Sequence, residues 1–332
     1  MAEKTIPLGL IGCGIISGAH LNAAARLPGI KMVAAAELNE ARLNATAEKY
    51  GIARRYRDWH DLVADPEVQG VVICLPEGLH EPVATEAARR GKHILVEKPM
   101  GRDLAECDRM IAAARDAGVR LMVGQVVRRF ANHALARQWL DERRIGRVAR
   151  VVRRRLMNNV LPDPKRRPWA SDPALASDWL LYGFGVHDYD ALLWLLDTEA
   201  ETVAAEGRRG SAQWAGWDRI SSEITLRNGV TAEVTLSLFS EEQVWDTVVT
   251  GSGGTLEILK KSVVLNGAPT EVSSKDEGAF QAQLAEFAAC IRDGKEPGSS
   301  GRNVRATMAL LEGVKRSLEE NRPVRMNEFP AG

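Results

Sequence analysis

The N-terminal stretch constrains the fold of this chain most, because a short apolar strand runs directly into a glycine turn and a helix. The strand is Thr5–Ile11, the turn is Gly12-Cys13-Gly14-Ile15-Ile16, and a helical pattern follows. A strand that feeds a glycine-rich turn at a helix N-terminus is the arrangement that binds the pyrophosphate of a dinucleotide. Gly12 permits the tight turn, Gly14 lets backbone N–H groups approach the phosphates, and Ser17 takes the third, small-residue position.

A carboxylate follows the second predicted strand at the distance expected for a ribose ligand. The strand Lys31–Ala36 ends at Glu37, 25 positions after Gly12. A carboxylate at this spacing bonds the adenosine ribose hydroxyls and repels a 2′-phosphate, and Leu38-Asn39 behind it supplies no cation. The sequence therefore predicts NAD as the cofactor, with NADP less favoured. A solvated strand end is the alternative interpretation of Glu37.

Strands alternate with helical segments through the first 124 residues, which predicts a right-handed, doubly wound parallel sheet. The strand that ends in Glu97-Lys98-Pro99 is the most informative of the series. Pro99 cannot continue the ladder, so Lys98 is left at the carboxyl end, where open parallel sheets bind their ligands. Lys98 is therefore a candidate catalytic residue. The alternative is a charged strand end that faces water.

The second half of the chain has a different pattern. From Val126 onward the alternation stops, strands follow one another with short turns, and Asn228-Gly229 is a hairpin signal. We predict an N-terminal Rossmann domain, residues 1–124, and a C-terminal α+β domain, residues 125–332, with an open mixed or antiparallel sheet. Seven arginines between Arg143 and Arg155 predict a partly solvated sheet edge or a subunit contact.

Three motifs, in this order along the chain, resemble the Gfo/Idh/MocA family, named for glucose–fructose oxidoreductase, inositol dehydrogenase and rhizopine catabolism proteins. They are the Gly12 loop, Leu75-Pro76-Glu77-Gly78-Leu79-His80 and Glu97-Lys98-Pro99. Glu77 stands where the family usually has Asn. The resemblance implies a cofactor site formed by Gly12, Gly14, Ile15, Ile16, Glu37, Leu75, Pro76, His80, Glu97 and Lys98.

A fourth stretch resembles the family's Asp-x-Gly-x-His-x-x-Asp motif. Gly185, His187 and Asp190 match it, whereas Gly183 stands in place of the first Asp, which in the family supports proton transfer. Tyr182 is adjacent and has an ionisable hydroxyl, so it is the candidate substitute. On a helix, Asp190 lies near enough to His187 to orient its imidazole.

The resemblance implies an NAD-dependent oxidoreductase that acts on a secondary alcohol or ketone of a sugar, cyclitol or related polyol. His187 would accept the hydroxyl proton, and Lys98 would stabilise the charge that develops on the same oxygen. Tyr182 is the third catalytic candidate. Lys98, Arg129 and His187 are the predicted substrate ligands. The alternative is an NAD-binding regulatory or sensor protein with little turnover, which the replacement at Gly183 favours.

Composition narrows the class of partner. The 44 basic and 44 acidic side chains cancel, which argues against nucleic acid and anionic membranes as partners. Apolar runs are too short to span a membrane, and the four cysteines lack metal-ligand spacing, so we predict a cytoplasmic protein without a metal site. The open sheet of the second domain predicts a homodimer or homotetramer.

Overall fold

A computed structural model describes residues 5–211, 214–273 and 277–330. The helices are α1 Ser17–Ala24, α2 Glu40–Tyr50, α3 Trp59–Ala64, α4 His80–Arg89, α5 Leu104–Asp116, α6 Ala131–Asp141, α7 Val186–Leu196, α8 Glu277–Asp293 and α9 Gly301–Glu320. The strands are β1 Ile6–Ile11, β2 Ile30–Ala36, β3 Arg54–Tyr56, β4 Gly70–Ile73, β5 His93–Val96, β6 Leu121–Val123, β7 Val148–Asn158, β8 Ala200–Arg208, β9 Arg219–Leu226, β10 Thr231–Ser237, β11 Phe239–Gly251, β12 Gly254–Ile258, β13 Ser262–Leu265, β14 Ala268–Glu271 and β15 Val324–Arg325.

The first compact unit is built on a parallel sheet. Within the described residues, six strands pair in the order β3-β2-β1-β4-β5-β6, and every pair is parallel. The order reverses direction at β1, as in a doubly wound Rossmann sheet, so the predicted fold of the first half is confirmed. The strands are apolar because both faces of such a sheet are covered: all four residues of β4 are buried.

A late segment of the chain returns to this first unit. The described residues divide into one unit of residues 5–126 and 277–305 and a second unit of residues 127–273 and 306–330. Leu284, Phe287 and Ile291 of α8 join the apolar core that includes Leu8 and Leu21. The predicted division at 124/125 therefore differs from the observed units, because α8 buries its apolar face against the Rossmann sheet.

The second unit contains a mixed sheet in the order β14-β13-β12-β11-β7-β10-β9-β8-β15. The described strands pair in antiparallel fashion, except that β7 and β10 are parallel. The predicted α+β architecture is thus confirmed for this half. The hairpin signal Asn228-Gly229 connects β9 to β10, with Gly229 at φ 82°.

The expected position of the arginine-rich segment is wrong. The arginines lie largely on β7, which is an interior strand between β11 and β10, not an edge. Arg153 and Arg155 point to the buried face, while Arg150 and Arg154 pair with Glu233 and Asp246 on the neighbouring strands. Charged side chains can occupy an interior strand here because each of the four has an acidic partner.

Candidate cofactor site and catalytic residues

Gly12 is required by the backbone of the loop after β1. Its φ is 91°, its N–H donates to the carbonyl of Ala36 at 2.9 Å, and a Cβ atom would lie 2.6 Å from the carbonyl oxygen of Cys74. A side chain at this position would clash with backbone, so only glycine fits. Gly14 differs, because a Cβ atom there would have no described atom within 4 Å.

The first turn of α1 is arranged to accept an anion. The hydroxyl of Ser17 donates to the Gly14 carbonyl at 2.6 Å and braces the loop, as its side chain packs in the interior. Ile16 is the N-cap residue and makes no side-chain cap, and the first turn carries no acidic residue. Backbone N–H groups at a helix N-terminus without a side-chain cap are natural phosphate ligands. Ile15, which is 52% exposed, lies at the open side of the loop.

Glu37 lies at the end of β2 beside this loop. The backbone N–H of Cys13 donates to Glu37 Oε2 at 3.0 Å, and the backbone N–H of Asn39 donates to Oε1 at 3.0 Å. Arg42 Nη1 lies 3.5 Å from Oε2. The carboxylate is thus fixed before any ribose arrives. Leu38 and Asn39 supply no cation, as expected, but the first turn of α2 places Arg42 next to Glu37.

Lys98 is half-buried at the carboxyl end of β5, and the preceding carboxylate anchors it. Glu97 Oε2 accepts the Lys98 backbone N–H at 3.2 Å, and Glu97 Oε1 accepts from His20 Nε2 of α1 at 2.7 Å. Burial raises the pKa of Glu97, but the hydrogen bond and charge of His20 and the charge of Lys98 outweigh it and leave the pKa below its usual range. The Glu97 side chain is buried, and its hydrogen bond with His20 links α1 to the end of β5 that carries Lys98.

His80 joins two loops at the same edge of the sheet. Its Nδ1 lies 2.9 Å from the Pro99 carbonyl oxygen and its Nε2 lies 2.9 Å from the Leu75 carbonyl oxygen. Burial lowers the pKa of His80, against the two carbonyl groups, which raise it. The imidazole is buried and bonds the loop that carries the half-buried residues Leu75 and Pro76. His80 therefore supports this part of the predicted cofactor site from inside the protein.

The residues of the second catalytic motif lie in the second unit. A π-helix, Trp179–Gly185, runs directly into α7. Gly183 on the π-helix and His187 on α7 are half-buried, whereas Val186 and Asp188, on either side of His187, are buried. π-helical turns occur frequently at functional sites. Tyr182 is buried, and its hydroxyl lies 3.3 Å from Glu312 Oε2 on α9. This placement favours a packing role for Tyr182 over proton transfer.

The two carboxylates that follow His187 on α7, Asp188 and Asp190, are held by arginines, which the sequence did not predict. Asp190 accepts from Arg128 Nε at 2.7 Å and Nη2 at 2.5 Å, and from the Thr307 hydroxyl at 3.0 Å. Asp190 thus bonds Arg128 and Thr307, and its role in orienting the His187 imidazole stays a prediction. Arg129, the predicted substrate ligand, is the half-buried residue that follows Arg128.

Asp188 is the second carboxylate that arginines hold, and it is fully buried. It accepts from Arg153 Nε at 2.8 Å and from Arg155 Nε at 2.5 Å, and Trp245 Nε1 lies 3.2 Å away. Burial raises the pKa of Asp188, but the charges of Arg155 and Arg153 outweigh it and hold the pKa below its usual range. The turn of α7 that follows His187 is thus fixed by the ionic contacts of Asp188 and Asp190.

The loop of the first unit fits a dinucleotide. Gly12 provides the turn, the open space at Gly14 is where a Cβ atom would obstruct a phosphate, and the Glu37 carboxylate retains an acceptor site for a ribose hydroxyl. These features together define a Rossmann domain that binds NAD.

The comparisons identify the family. A family model described as "Oxidoreductase family, NAD-binding Rossmann fold" matches residues 6–125, and one described as "GFO/IDH/MocA C-terminal domain" matches residues 133–257. This chain belongs to the Gfo/Idh/MocA family of NAD-binding oxidoreductases. The resemblance of its motifs to that family is thereby confirmed.

Named relatives span nearly the whole chain. Myo-inositol 2-dehydrogenase of Thermotoga maritima is 26% identical over 97% of this chain and 98% of the relative. D-apiose dehydrogenase of Paraburkholderia graminis is 29% identical over 97% of this chain and 90% of the relative. The structure of aldose-aldose oxidoreductase from Caulobacter crescentus, complexed with glycerol, is 26% identical, has a TM-score of 0.88 and covers 97% of this chain and 100% of its own. These relatives are enzymes, so they give no support to the regulatory alternative.

No described helix is long and apolar enough to cross a membrane. Within residues 5–211, 214–273 and 277–330, no group of three or more His, Cys, Asp or Glu side chains is arranged to hold a metal ion.

Proposed function

We propose that this protein is an NAD-dependent dehydrogenase that oxidises a secondary alcohol of a sugar, cyclitol or related polyol, or reduces the corresponding ketone. The observation that carries the proposal is the position of Lys98. It stands at the carboxyl end of β5, in the same unit as the Gly12 loop, and Glu97 anchors its backbone. The names of the relatives, which include inositol and apiose dehydrogenases, support the substrate class.

The residues divide the chemistry between them. Bound NAD supplies the hydride acceptor. The Lys98 ammonium stabilises negative charge on the substrate oxygen, and His187 takes up the hydroxyl proton. Arg129 binds further substrate hydroxyls. Gly12–Ile16 and α1 hold the pyrophosphate and Glu37 holds the adenosine ribose, while Glu97 and His80 position the loops of Lys98, Leu75 and Pro76.

A panel of polyols tests the activity. NADH formation is followed by absorbance with NAD and with myo-inositol, aldoses including apiose, and simple polyols, in the wild type and in Lys98→Met. We expect turnover of at least one polyol in the wild type and its loss in the variant. Tight NAD binding without turnover of any member would instead favour the regulatory alternative.

We also propose a homodimer or homotetramer that assembles through the mixed sheet. One side of β7 carries the exposed pair Arg150–Glu233 and the half-buried pair Arg154–Asp246, which suit a polar contact between subunits. Sedimentation at micromolar concentration should give a dimer or tetramer, and a monomer would refute the proposal. The cytoplasmic location stays a prediction.

A further inference from the structure

A long loop, residues 159–178, runs from the end of β7 to the π-helix that precedes His187. Three cationic residues follow one another on this loop: Lys165 and Arg166 are exposed, and Arg167 is half-buried. Loops of this length with little secondary structure are uncommon in compact domains, and many of them bind ligands. The loop is therefore a candidate part of the substrate site.

The side chains of these three residues lack acidic partners. Within residues 5–211, 214–273 and 277–330, no carboxylate forms an ion pair with Lys165, Arg166 or Arg167. Asp163 is close in sequence, but its carboxylate accepts the backbone N–H of Lys165 at 2.9 Å. Three positive charges at one place on the surface are therefore open to an anionic ligand.

Trp179 connects this loop to the π-helix. Its Nε1 donates to the Val160 carbonyl at 3.0 Å, and the Arg167 guanidinium lies 5.3 Å from the centroid of its ring. A Cβ atom at Gly183 would lie 3.4 Å from the same ring. Because one indole ring contacts both Arg167 and Gly183, the loop cations are neighbours of the turn that leads to His187.

A buried cluster next to His187 holds a further positive charge. Arg153 and Arg155 share the single carboxylate of Asp188, at 2.8 and 2.5 Å, and all three side chains are buried. Nη2 of Arg153 has no partner in the described part of the chain. Asp190, the next carboxylate on α7, is bonded by an arginine of its own. The cluster therefore keeps one positive charge in excess, which favours negative charge nearby.

The carboxylates of the π-helix do not offset these cations. Position 183, where the family carries Asp, is Gly in this chain, so one negative charge is missing beside Trp179. Asp178 caps the π-helix, and its oxygens accept the backbone N–H groups of Leu181 at 2.8 Å and Trp217 at 3.4 Å. The region around His187 is thus arranged to attract an anion.

We propose, on the basis of the proposed function, that the substrate is a sugar or polyol that carries an oxyanion, either a carboxylate or a phosphate group. Lys165, Arg166 and Arg167 bind that group while the hydroxyl that reacts lies at His187. Arginine and lysine side chains bind both kinds of oxyanion. The excess charge of the buried cluster adds an attraction that a neutral polyol lacks.

Kinetics with matched pairs of substrates test this proposal. The pairs are D-glucose with D-glucuronate, D-glucose with D-glucose 6-phosphate, and myo-inositol with myo-inositol 1-phosphate, each assayed with NAD by NADH absorbance. We expect the anionic member of at least one pair to have a kcat/KM about tenfold or more above that of the neutral member. The pair that shows this preference identifies the group as a carboxylate or a phosphate. Added salt should weaken the preference, because it screens exposed charges.

A charge-removing variant assigns the preference to the loop. Lys165→Ala/Arg166→Ala should reduce the preference for the anionic member about tenfold, mainly by raising its KM. Arg147→Glu is the control, since it changes the net charge by the same amount at an exposed residue that precedes β7, at the opposite end of that strand. The control should keep the preference.

The outcomes separate this inference from the proposed function. If no member of any pair and no polyol of the panel above is turned over, the proposed function and this inference both fail. An equal or higher kcat/KM for the neutral member of every pair would overturn this inference alone. An unchanged preference in Lys165→Ala/Arg166→Ala, or an equal loss in Arg147→Glu, would do the same.

Discussion

Lys98 is held by its own neighbour, because the Glu97 carboxylate accepts the Lys98 backbone N–H at 3.2 Å and the His20 imidazole at 2.7 Å. The lysine backbone is therefore fixed while its side chain remains half-buried. His187 is in a similar position, since the arginine partners of Asp188 and Asp190 fix the backbone around it. Preorganised groups of this kind stabilise developing charge without reorganisation.

Removing either of the proposed catalytic side chains, Lys98 or His187, should slow hydride transfer and leave NAD affinity nearly intact. General acid–base catalysis is worth about 10²–10⁴-fold, so Lys98→Ala and His187→Ala should each lose activity in that range. If both groups act on one hydroxyl, as proposed, their losses should be less than additive. Single-turnover kinetics and NAD titrations of the two variants and the double variant measure this. Transfer at the wild-type rate in His187→Ala would show that His187 is structural.

Gly183 provides a separate test, because the family carries an Asp at that position. A Cβ atom at Gly183 would lie 3.4 Å from the Trp179 ring, an ordinary contact, so Gly183→Asp should fold. We expect it to raise the single-turnover rate with polyols about tenfold by supplying the missing carboxylate. Gly183→Asn is the matched uncharged control. An equal rise of the single-turnover rate in Gly183→Asn would contradict the idea that the missing carboxylate limits the reaction. A lower rate in Tyr182→Phe, with no rise in Gly183→Asp, would contradict it as well.

The loop between β1 and α1 acts as one element in which two glycines serve different purposes. Gly12→Ala should destabilise the protein, because its Cβ atom would lie 2.6 Å from a backbone oxygen. Gly14→Ala should leave the free energy of unfolding unchanged but weaken NAD binding about tenfold or more, because its side chain would occupy the phosphate position. Calorimetry with NAD and denaturant unfolding measure both. Gly278→Ala in α8, where the space is also open, is the control. Unchanged NAD affinity in Gly14→Ala would contradict this placement of the pyrophosphate.

The packing of α6 on the second sheet should be sensitive to acid, because it buries His133. The Nδ1 of His133 lies 2.8 Å from Asn132 Oδ1 and its Nε2 lies 3.3 Å from Arg153 Nη1, so the ring is neutral. Burial, followed by the charges of Arg153 and Arg155, holds the pKa of His133 well below its usual range. The unfolded chain then binds a proton that the folded chain does not, so stability is lost as the pH falls below the unfolded pKa of about 6.5.

At pH 5.5 this histidine should cost about 1.4 kcal/mol of stability relative to pH 7.5. His133→Gln should therefore lose less stability than the wild type over that interval, while His60→Gln, at an exposed position, should behave as the wild type does. Denaturant unfolding followed by tryptophan fluorescence measures this loss of stability, since all tryptophans except Trp59 lie in the second unit. Equal losses in His133→Gln and the wild type would show that His133 does not titrate on unfolding.

Sequence periodicity predicted the elements well where each one buries a regular face. The first two strands, expected at Thr5–Ile11 and Lys31–Ala36, are observed at Ile6–Ile11 and Ile30–Ala36. The hairpin of β13 and β14 was missed, although Asn266-Gly267 is the same turn signal as Asn228-Gly229. The arginines of β7 were misplaced because a charge run resembles a solvated edge until its buried partners, such as Asp188, are known.

At the scale of the whole molecule, the chain builds two units and each contains segments distant in sequence. Residues 277–305 belong with the Rossmann unit, and residues 306–330 belong with the second unit. Local patterns do not carry this information, because α8 looks like any amphipathic helix until its packing against Leu8 and Leu21 is seen. The motif residues themselves were predictable, since glycine turns and strand ends depend on local chemistry.

We propose that this protein moves hydride between a polyol carbon and NAD. This transfer is tested most directly with a polyol that carries deuterium on the reacting carbon, chosen from the panel above, and NAD in solution. We predict that deuterium appears on one face of C4 of the nicotinamide ring, as read by NMR of the isolated NADH, and that Lys98→Met abolishes the transfer. Binding of NAD without transfer of deuterium from any polyol would contradict the account.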